Sequence, residues 1–331
     1  MYVASMSAAR HMLALLKSRV AGDDKQFFAV AMQLAAHEAR LGHIKVAQQM
    51  RDLIDEAKKR ASSVQNQVGL FVVPQARPDL AGLVSVSCPD VRLSSMVLPK
   101  ALEGRLGRIL TEMRQQERLR NHGLSARRKI LLIGPPGSGK TLTAAALAGE
   151  LHLPLFSILL EGVITKFMGE TASKLRLIFE AMAQTPGVYL FDEFDAFGAR
   201  RTEMNDVGEI RRVLNSFLQL LEQDASSGLI VAATNHPDLL DRALFRRFDD
   251  VVRYDLPDEQ TVKLILACRL ALFHTEGVEW DRVVHDAKGL SQAELARAAD
   301  EAAKQAVLKE SCEITTAGLA SAVEERKLAS R

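Results

Sequence analysis

The stretch "KILLIGPPGSGKT", residues 129–141, limits what this chain can fold into more than any other. A short apolar run ends in a glycine turn, and the turn opens a helical pattern. From Gly134 to Thr141 the pattern G-x-x-x-x-G-K-[ST] is met without deviation. Backbone N–H groups of such a turn point inward and bind phosphate oxygens, helped by the positive end of the helix dipole. The candidate phosphate cradle is Gly134, Pro135, Pro136, Gly137, Ser138, Gly139, Lys140 and Thr141. Lys140 is expected to reach the β and γ phosphates of a nucleotide such as ATP, and Thr141 to offer its hydroxyl to Mg²⁺.

The surroundings of the turn fit a parallel sheet. From about residue 100 the chain alternates: a helix "ALEGRLGRILTEMRQQERLRNHG", the strand "KILLIG", a helix from Lys140, the strand "LPLFSILL", a helix from Glu170, the strand "GVYLF", a helix through "VGEIRRVLNSFLQLLE", then the strands "GLIVAATN" and "DVVRYDLP". Short apolar strands separated by helices indicate an α/β fold with helices on both faces of the sheet. After Pro257 the strand pattern stops, and four helical stretches suggest a small helical domain. Residues 5–60 read as three short helices, and residues 61–95, with prolines and little helical period, as a linker holding one or two short strands. The expected domains are therefore 1–60, 61–95, 96–256 and 257–331.

Bulk properties exclude several classes. A length of 331 residues suits two or three domains, and 25% charged with 47% apolar residues is an ordinary globular composition. A net charge of +2 argues against a dedicated nucleic-acid binder, although residues 1–60 carry about +4 and the remainder about −2. Cys88, Cys268 and Cys312 are far apart, so neither a zinc site nor a disulfide framework is indicated. No apolar run reaches the length of a membrane span, and the N-terminus lacks the basic start of a secretory signal, so a cytoplasmic location is expected.

Three further motifs carry chemistry. "VYLFDEFD", residues 188–195, is an apolar strand ending in carboxylates: Asp192 is a candidate for the magnesium shell and Glu193 for polarising a water, while Asp195 is read as a cap of the next turn. "AATN" ends the next strand, where Asn235 is either a turn residue or the amide that holds the attacking water. "DRALFRRFDD" places Arg246 and Arg247 before the last strand, where they either pair with Asp249 and Asp250 or reach the nucleotide of a neighbouring subunit as arginine fingers.

These motifs, in this order and spacing, resemble the AAA+ ATPases, in the branch of single-ring polypeptide unfoldases and remodellers. The likeness covers about residues 95–331, with "GPPGSGKT" as Walker A and "LFDEFD" as Walker B. "GLSQAELARAADEAA" is similar to the signature helix of the lid, where the resemblance sets Ala293 against the adenine. It implies homo-oligomers, hexamers with ATP at each subunit interface, acting on a polypeptide. It also implies that the segment after the second strand of the nucleotide-binding core lines a central pore. There Phe167 and Met168, in "ITKFMGETAS", would grip the substrate; the alternative for Phe167 is a local hydrophobic staple. Residues 197–206 would form a second pore loop. Many relatives separate the two arginines by Pro-Gly; here they are adjacent, which leaves open which one enters the neighbour's site. The lid shows no clear extra arginine facing the phosphates, as in that branch. The N-terminal helices would recruit a substrate or partner. The domain arrangement is similar to that of small bacterial ATPases encoded beside a subtilisin-like protease, which makes a protease a candidate partner. The competing functions are a nucleic-acid-handling ATPase of the same superfamily, such as a loader or transposition regulator, and a nucleotide-gated scaffold that regulates a partner.

Overall fold

The computed structural model of the chain describes residues 31, 80, 82–163, 168–197, 207–240 and 242–329. Apart from Ala31, the three expected N-terminal helices lie outside them, as do Phe167 and most of the expected second pore loop. By packing, the chain divides into two units, Met1–Arg77 and Pro78–Arg331, and every element below belongs to the second.

The elements run β1 (Val84–Ser87), α1 (Lys100–Arg114), α2 (Gln116–Asn121), β2 (Lys129–Ile133), α3 (Lys140–Leu151), β3 (Leu155–Ile158), α4 (Leu160–Val163), α5 (Met168–Gln184), β4 (Val188–Phe191), α6 (Val207–Gln223), β5 (Leu229–Thr234), α7 (Arg242–Phe245) and β6 (Asp250–Arg253). Four helices follow: α8 (Glu259–Arg269), α9 (Trp280–Asp286), α10 (Gln292–Leu308) and α11 (Thr316–Ala329). Among the described residues, none of the helices is long and apolar enough to cross a membrane.

The strands form one six-stranded sheet in the order β1-β3-β4-β5-β2-β6. All neighbours are parallel except β1, which runs antiparallel to β3 with Val84 opposite Ile158 and Ser87 opposite Leu155. This "VSVS" strand lies in the stretch read from sequence as a linker holding one or two short strands. It is an edge strand with one pairing partner, so it lacks the continuous apolar run that marks the central strands. The helix read over residues 101–123 is two helices. They break at Gln115, beyond the last buried residue of α1, Met113, and α2 buries none of its own side chains.

Alternation along the central strands builds two cores. Leu131, Ile133, Tyr189, Phe191, Ile230 and Ala232 face α5 and α6, where Phe179 and Phe217 pack edge to face at 5.7 Å. Ile130, Leu132, Leu190, Val231 and Val252 face the other way, against Leu106 and Ile109 of α1 and Leu147 of α3. The four C-terminal helices close around a third core that includes Leu266, Val283, Leu295 and Val323. The sheet therefore holds the carboxyl ends of β2, β4 and β5 side by side, the place where open α/β sheets bind ligands.

Candidate nucleotide site

Gly134 follows β2 directly, and a side chain there would meet Tyr254 Cβ and the Tyr254 carbonyl at 2.6 Å each. The turn then passes through Gly137 and Gly139 at φ 72° and 93°, left-handed values that glycine adopts without strain. A Cβ on Gly137 would stand 2.7 Å from Ser291 Oγ and 3.0 Å from Ala293 Cβ. The turn is thus pressed between the end of β6 and the start of α10.

Lys140, at the start of α3, is buried. Its ammonium donates to the carbonyls of Gly134 and Pro135 at 2.8 Å each and to Ser138 Oγ at 3.4 Å. Burial pushes its pKa down, against the pull of Asp192 and Asp195. Behind it, Thr143 Oγ1 and Tyr254 OH share a 2.7 Å hydrogen bond, and burial pushes the Tyr254 phenol up to about 12 against that bond.

Beside the turn, Thr141 Oγ1 donates to Asp192 Oδ2 at 2.6 Å, and the Glu193 N–H donates to Asp192 Oδ1 at 3.0 Å. Glu193 is exposed and has φ 50°, a conformation that costs a non-glycine residue energy and occurs often at working sites. Asn235 follows β5. Its N–H donates to Asp195 Oδ1 at 3.3 Å, and Thr234 Oγ1 donates to the same oxygen at 3.0 Å. Asp195, read from sequence as a cap of the next turn, ties the end of β4 to the end of β5 from a buried position.

The cleft over these groups has a volume of about 620 Å³. Lys140, Thr141, Asp192, Glu193 and Asn235 line one wall, and Ile265, Cys268, Arg269, Ala293 and Ala296 of the C-terminal helices line the other, with Met96 and Val97 between. Met96, Val97 and Ile265 were not legible from sequence, since apolar residues in a cleft wall look like core residues. The start of α10 was more legible: Ser291 and Glu294 form a reciprocal cap, and the Ala293 N–H donates to the Gly137 carbonyl at 3.0 Å.

The groups present fit a nucleotide and a magnesium ion. The cradle needs glycine at two left-handed positions, its buried cation is held only by neutral oxygens, and Thr141 and Asp192 offer a hard cation two adjacent oxygens.

Arg246 and Arg247 lie elsewhere. They precede β6, at the amino ends of the parallel strands, whereas Lys140 follows the carboxyl end of β2. The five residues of β2 alone set these ends roughly 16 Å apart. Neither arginine pairs with Asp249 or Asp250. The Asp249 carboxylate accepts the N–H groups of Arg128 and Lys129, and Asp250 is paired with Arg105 and Arg127.

A parallel sheet with this phosphate cradle at its switch point defines a P-loop nucleoside triphosphatase. Residues 130–256 match the profile of the ATPase family associated with various cellular activities (AAA). The chain is 34% identical over 291 residues to an uncharacterized AAA family ATPase, y4kL, of Sinorhizobium fredii, covering 87% of this chain and 86% of that protein. It is 34% identical over 272 residues to the ATP-dependent zinc metalloprotease FtsH of Helicobacter pylori, covering 76% of this chain but 42% of that protein. The crystal structure of the FIGL-1 AAA domain shares the fold, with a TM-score of 0.60 at 21% identity over 76% of this chain and 92% of that one. The chain belongs to the AAA family and is an ATPase.

Proposed function

We propose that this ATPase works in the cytoplasm as a ring of like subunits, a hexamer, and couples ATP hydrolysis to remodelling, unfolding or translocating a polypeptide through the ring. The observation that carries the reading is the separation of the two halves of the chemistry. Lys140, Glu193 and Asn235 stand at one end of the sheet and the arginine pair at the other, so an arginine that serves hydrolysis must serve a neighbour's nucleotide. The FtsH relatives, whose name joins ATP dependence to proteolysis, support work on polypeptides. The match spans 42% of the Helicobacter pylori relative and 54% of a Sphaerobacter thermophilus one, and a protease is a candidate partner.

In this reading the backbone of Gly134, Pro135, Pro136, Gly137, Ser138 and Gly139 wraps the phosphates, and Lys140 exchanges its carbonyl partners for phosphate oxygens. Ala293 lies against the adenine. Thr141 and Asp192 would hold magnesium, which would supply neutralisation of the phosphate charge. Glu193 polarises the attacking water and the Asn235 amide orients it, with Asp195 holding the Asn235 backbone still. Phe167 and Met168 grip the polypeptide in the pore. Chain order supports this, because α5 begins at Met168, after β3. The N-terminal sixty residues recruit the substrate or partner.

The test is ATPase stimulation. Turnover should rise with an unfolded polypeptide and stay flat with single- or double-stranded DNA. Stimulation by DNA alone would favour the loader reading, and no response to either would favour the scaffold.

A further inference from the structure

The C-terminal helices are joined to the sheet by the chain itself, through residues 254–258 between β6 and α8. A second junction is a short strap, residues 93–98, ahead of α1. Leu93 and Leu98 pack against the sheet core that holds Leu106 and Leu147, whereas Val97 packs against the core of the C-terminal helices. Met96, between them, lines the nucleotide cleft.

Gln292, the first residue of α10, reaches this strap. Its side-chain amide donates to the Val97 carbonyl at 3.4 Å. A Cβ on Gly139 would stand 3.3 Å from Gln292 Oε1 and 3.6 Å from Met96 Cε, so both side chains lie over the phosphate turn. Gln292 lines the cleft and also a second cavity of about 510 Å³, beside Tyr254, Pro257 and Thr261. With space on two sides, its half-buried side chain is fixed by the bond to Val97 more than by packing. Its backbone, by contrast, is held firmly. The first N–H groups of a helix have no partner inside the helix. Here Ser291 and Glu294 cap each other, and the Gly137 carbonyl takes the Ala293 N–H at 3.0 Å.

We infer that Gln292 is a positioning residue for the nucleotide. With Val97 it forms a clasp that fastens the C-terminal helices to the strap over the phosphate turn, and the clasp sets how long the nucleotide is retained. A nucleotide in the cleft leaves when the wall carried by α8 and α10 moves away from Gly139 and Lys140. That motion must break the Gln292–Val97 bond or pull Val97 out of the helical core. Movements of such covers set turnover in many enzymes. At 3.4 Å the bond is long, so its effect is modest. This rests on the nucleotide reading of the cleft and not on the ring.

The test follows release of ADP carrying a fluorescent group on its ribose from the full-length chain, with a thermal melt and steady-state turnover on each variant. Gln292→Met keeps the length and removes the donor. Val97→Ala loosens the anchor of the strap. Each should speed release by about 2- to 10-fold and weaken ATP affinity by a similar factor, with kcat not reduced, since Glu193 and Asn235 are untouched. Because both act on one clasp, the double variant should fall short of the product of the two factors. Leu98→Ala is the control. Its side chain enters the sheet core, so it should lower the melting temperature and leave release near the wild-type rate. If Val97→Ala does not fold, Val97→Thr, which keeps the shape, takes its place. Release at the wild-type rate from Gln292→Met overturns the inference. So does a double variant equal to the product of its parents, a Leu98→Ala that speeds release as much as Val97→Ala, or a kcat that falls with affinity unchanged. Failure of the nucleotide reading looks different: Lys140→Ala would then bind the ADP probe as tightly as wild type.

Discussion

At the carboxyl ends of β2, β4 and β5 the chain keeps its polar groups open: a buried lysine held only by neutral oxygens, a hydroxyl–carboxylate pair, an exposed glutamate in a left-handed conformation. At the amino ends of β2 and β6 it closes them, with Arg105, Arg127 and Arg128 each matched to a carboxylate and Asp249 spanning two backbone N–H groups. The first arrangement is poised to take an anion and a cation from solution. The second is a tightly paired base beside the exposed Arg246 and Arg247, the latter paired with Glu222. In the proposed ring each end is half of a hydrolytic site, and the roughly 16 Å of strand between them keeps a single chain from joining its own halves.

Substitutions separate the two ends by which property fails. The largest expected effect is at the open end. Glu193→Gln keeps the shape and removes the base, so ATP should still bind while turnover falls roughly 100- to 10,000-fold. Turnover at the wild-type rate would remove Glu193 from the role. Lys140→Ala comes next. It loses charge-assisted bonds to the phosphates, each about 1.5–3 kcal/mol, so ATP affinity should fall by roughly 100-fold or more in a direct titration. Affinity unchanged by that substitution would break the assignment of the cradle.

Asp195→Ala should do two things at once. The buried Thr234 hydroxyl and Asn235 N–H lose their acceptor, for about 1–3 kcal/mol of stability in a denaturant titration, and turnover should fall with ATP affinity retained. A stability loss with turnover intact would make Asp195 purely structural. The smallest effect belongs to the closed end. Asp250 is buried, which raises its pKa, but the hydrogen bond and charge of Arg105 outweigh burial and hold it below the usual carboxylate value. The native pKa lies below the unfolded one, so this pair stabilises above the ordinary carboxylate range and ceases to do so as pH falls through the native value. Thermal melts of wild type and Asp250→Asn should therefore differ at neutral pH and converge in acid. A gap that widens in acid would contradict the pairing.

How much of this the sequence disclosed depends on the range of each interaction. The cradle was legible because strand, turn and helix are contiguous, so "KILLIGPPGSGKT" carries its own context. Asp192 and Asn235 were legible as polar residues ending apolar runs. Asp195 was not, because its partners are about 40 residues away and meet it only when β4 and β5 lie side by side. The same holds for Arg247, for which Asp249 and Asp250 were the near candidates, while the carboxylate it meets, Glu222, lies at the end of α6. Edge strand β1 escaped notice as a strand of this sheet because its alternating "VSVS" needs only one apolar face. Phe167 lies outside the described residues, and its role rests on the order of the chain around it.

The central claim is that hydrolysis needs the open end of one subunit and the closed end of another. The most direct measurement mixes two silent variants, Glu193→Gln and the double variant Arg246→Ala with Arg247→Ala, and follows ATP turnover in assemblies verified to contain both. An interface with Glu193 from one subunit and the arginine pair from its neighbour is complete, and random equal mixing in a closed ring makes about a quarter of the interfaces so. The account predicts recovery to roughly that fraction of the wild-type rate. Mixed assemblies as silent as their parents would contradict it.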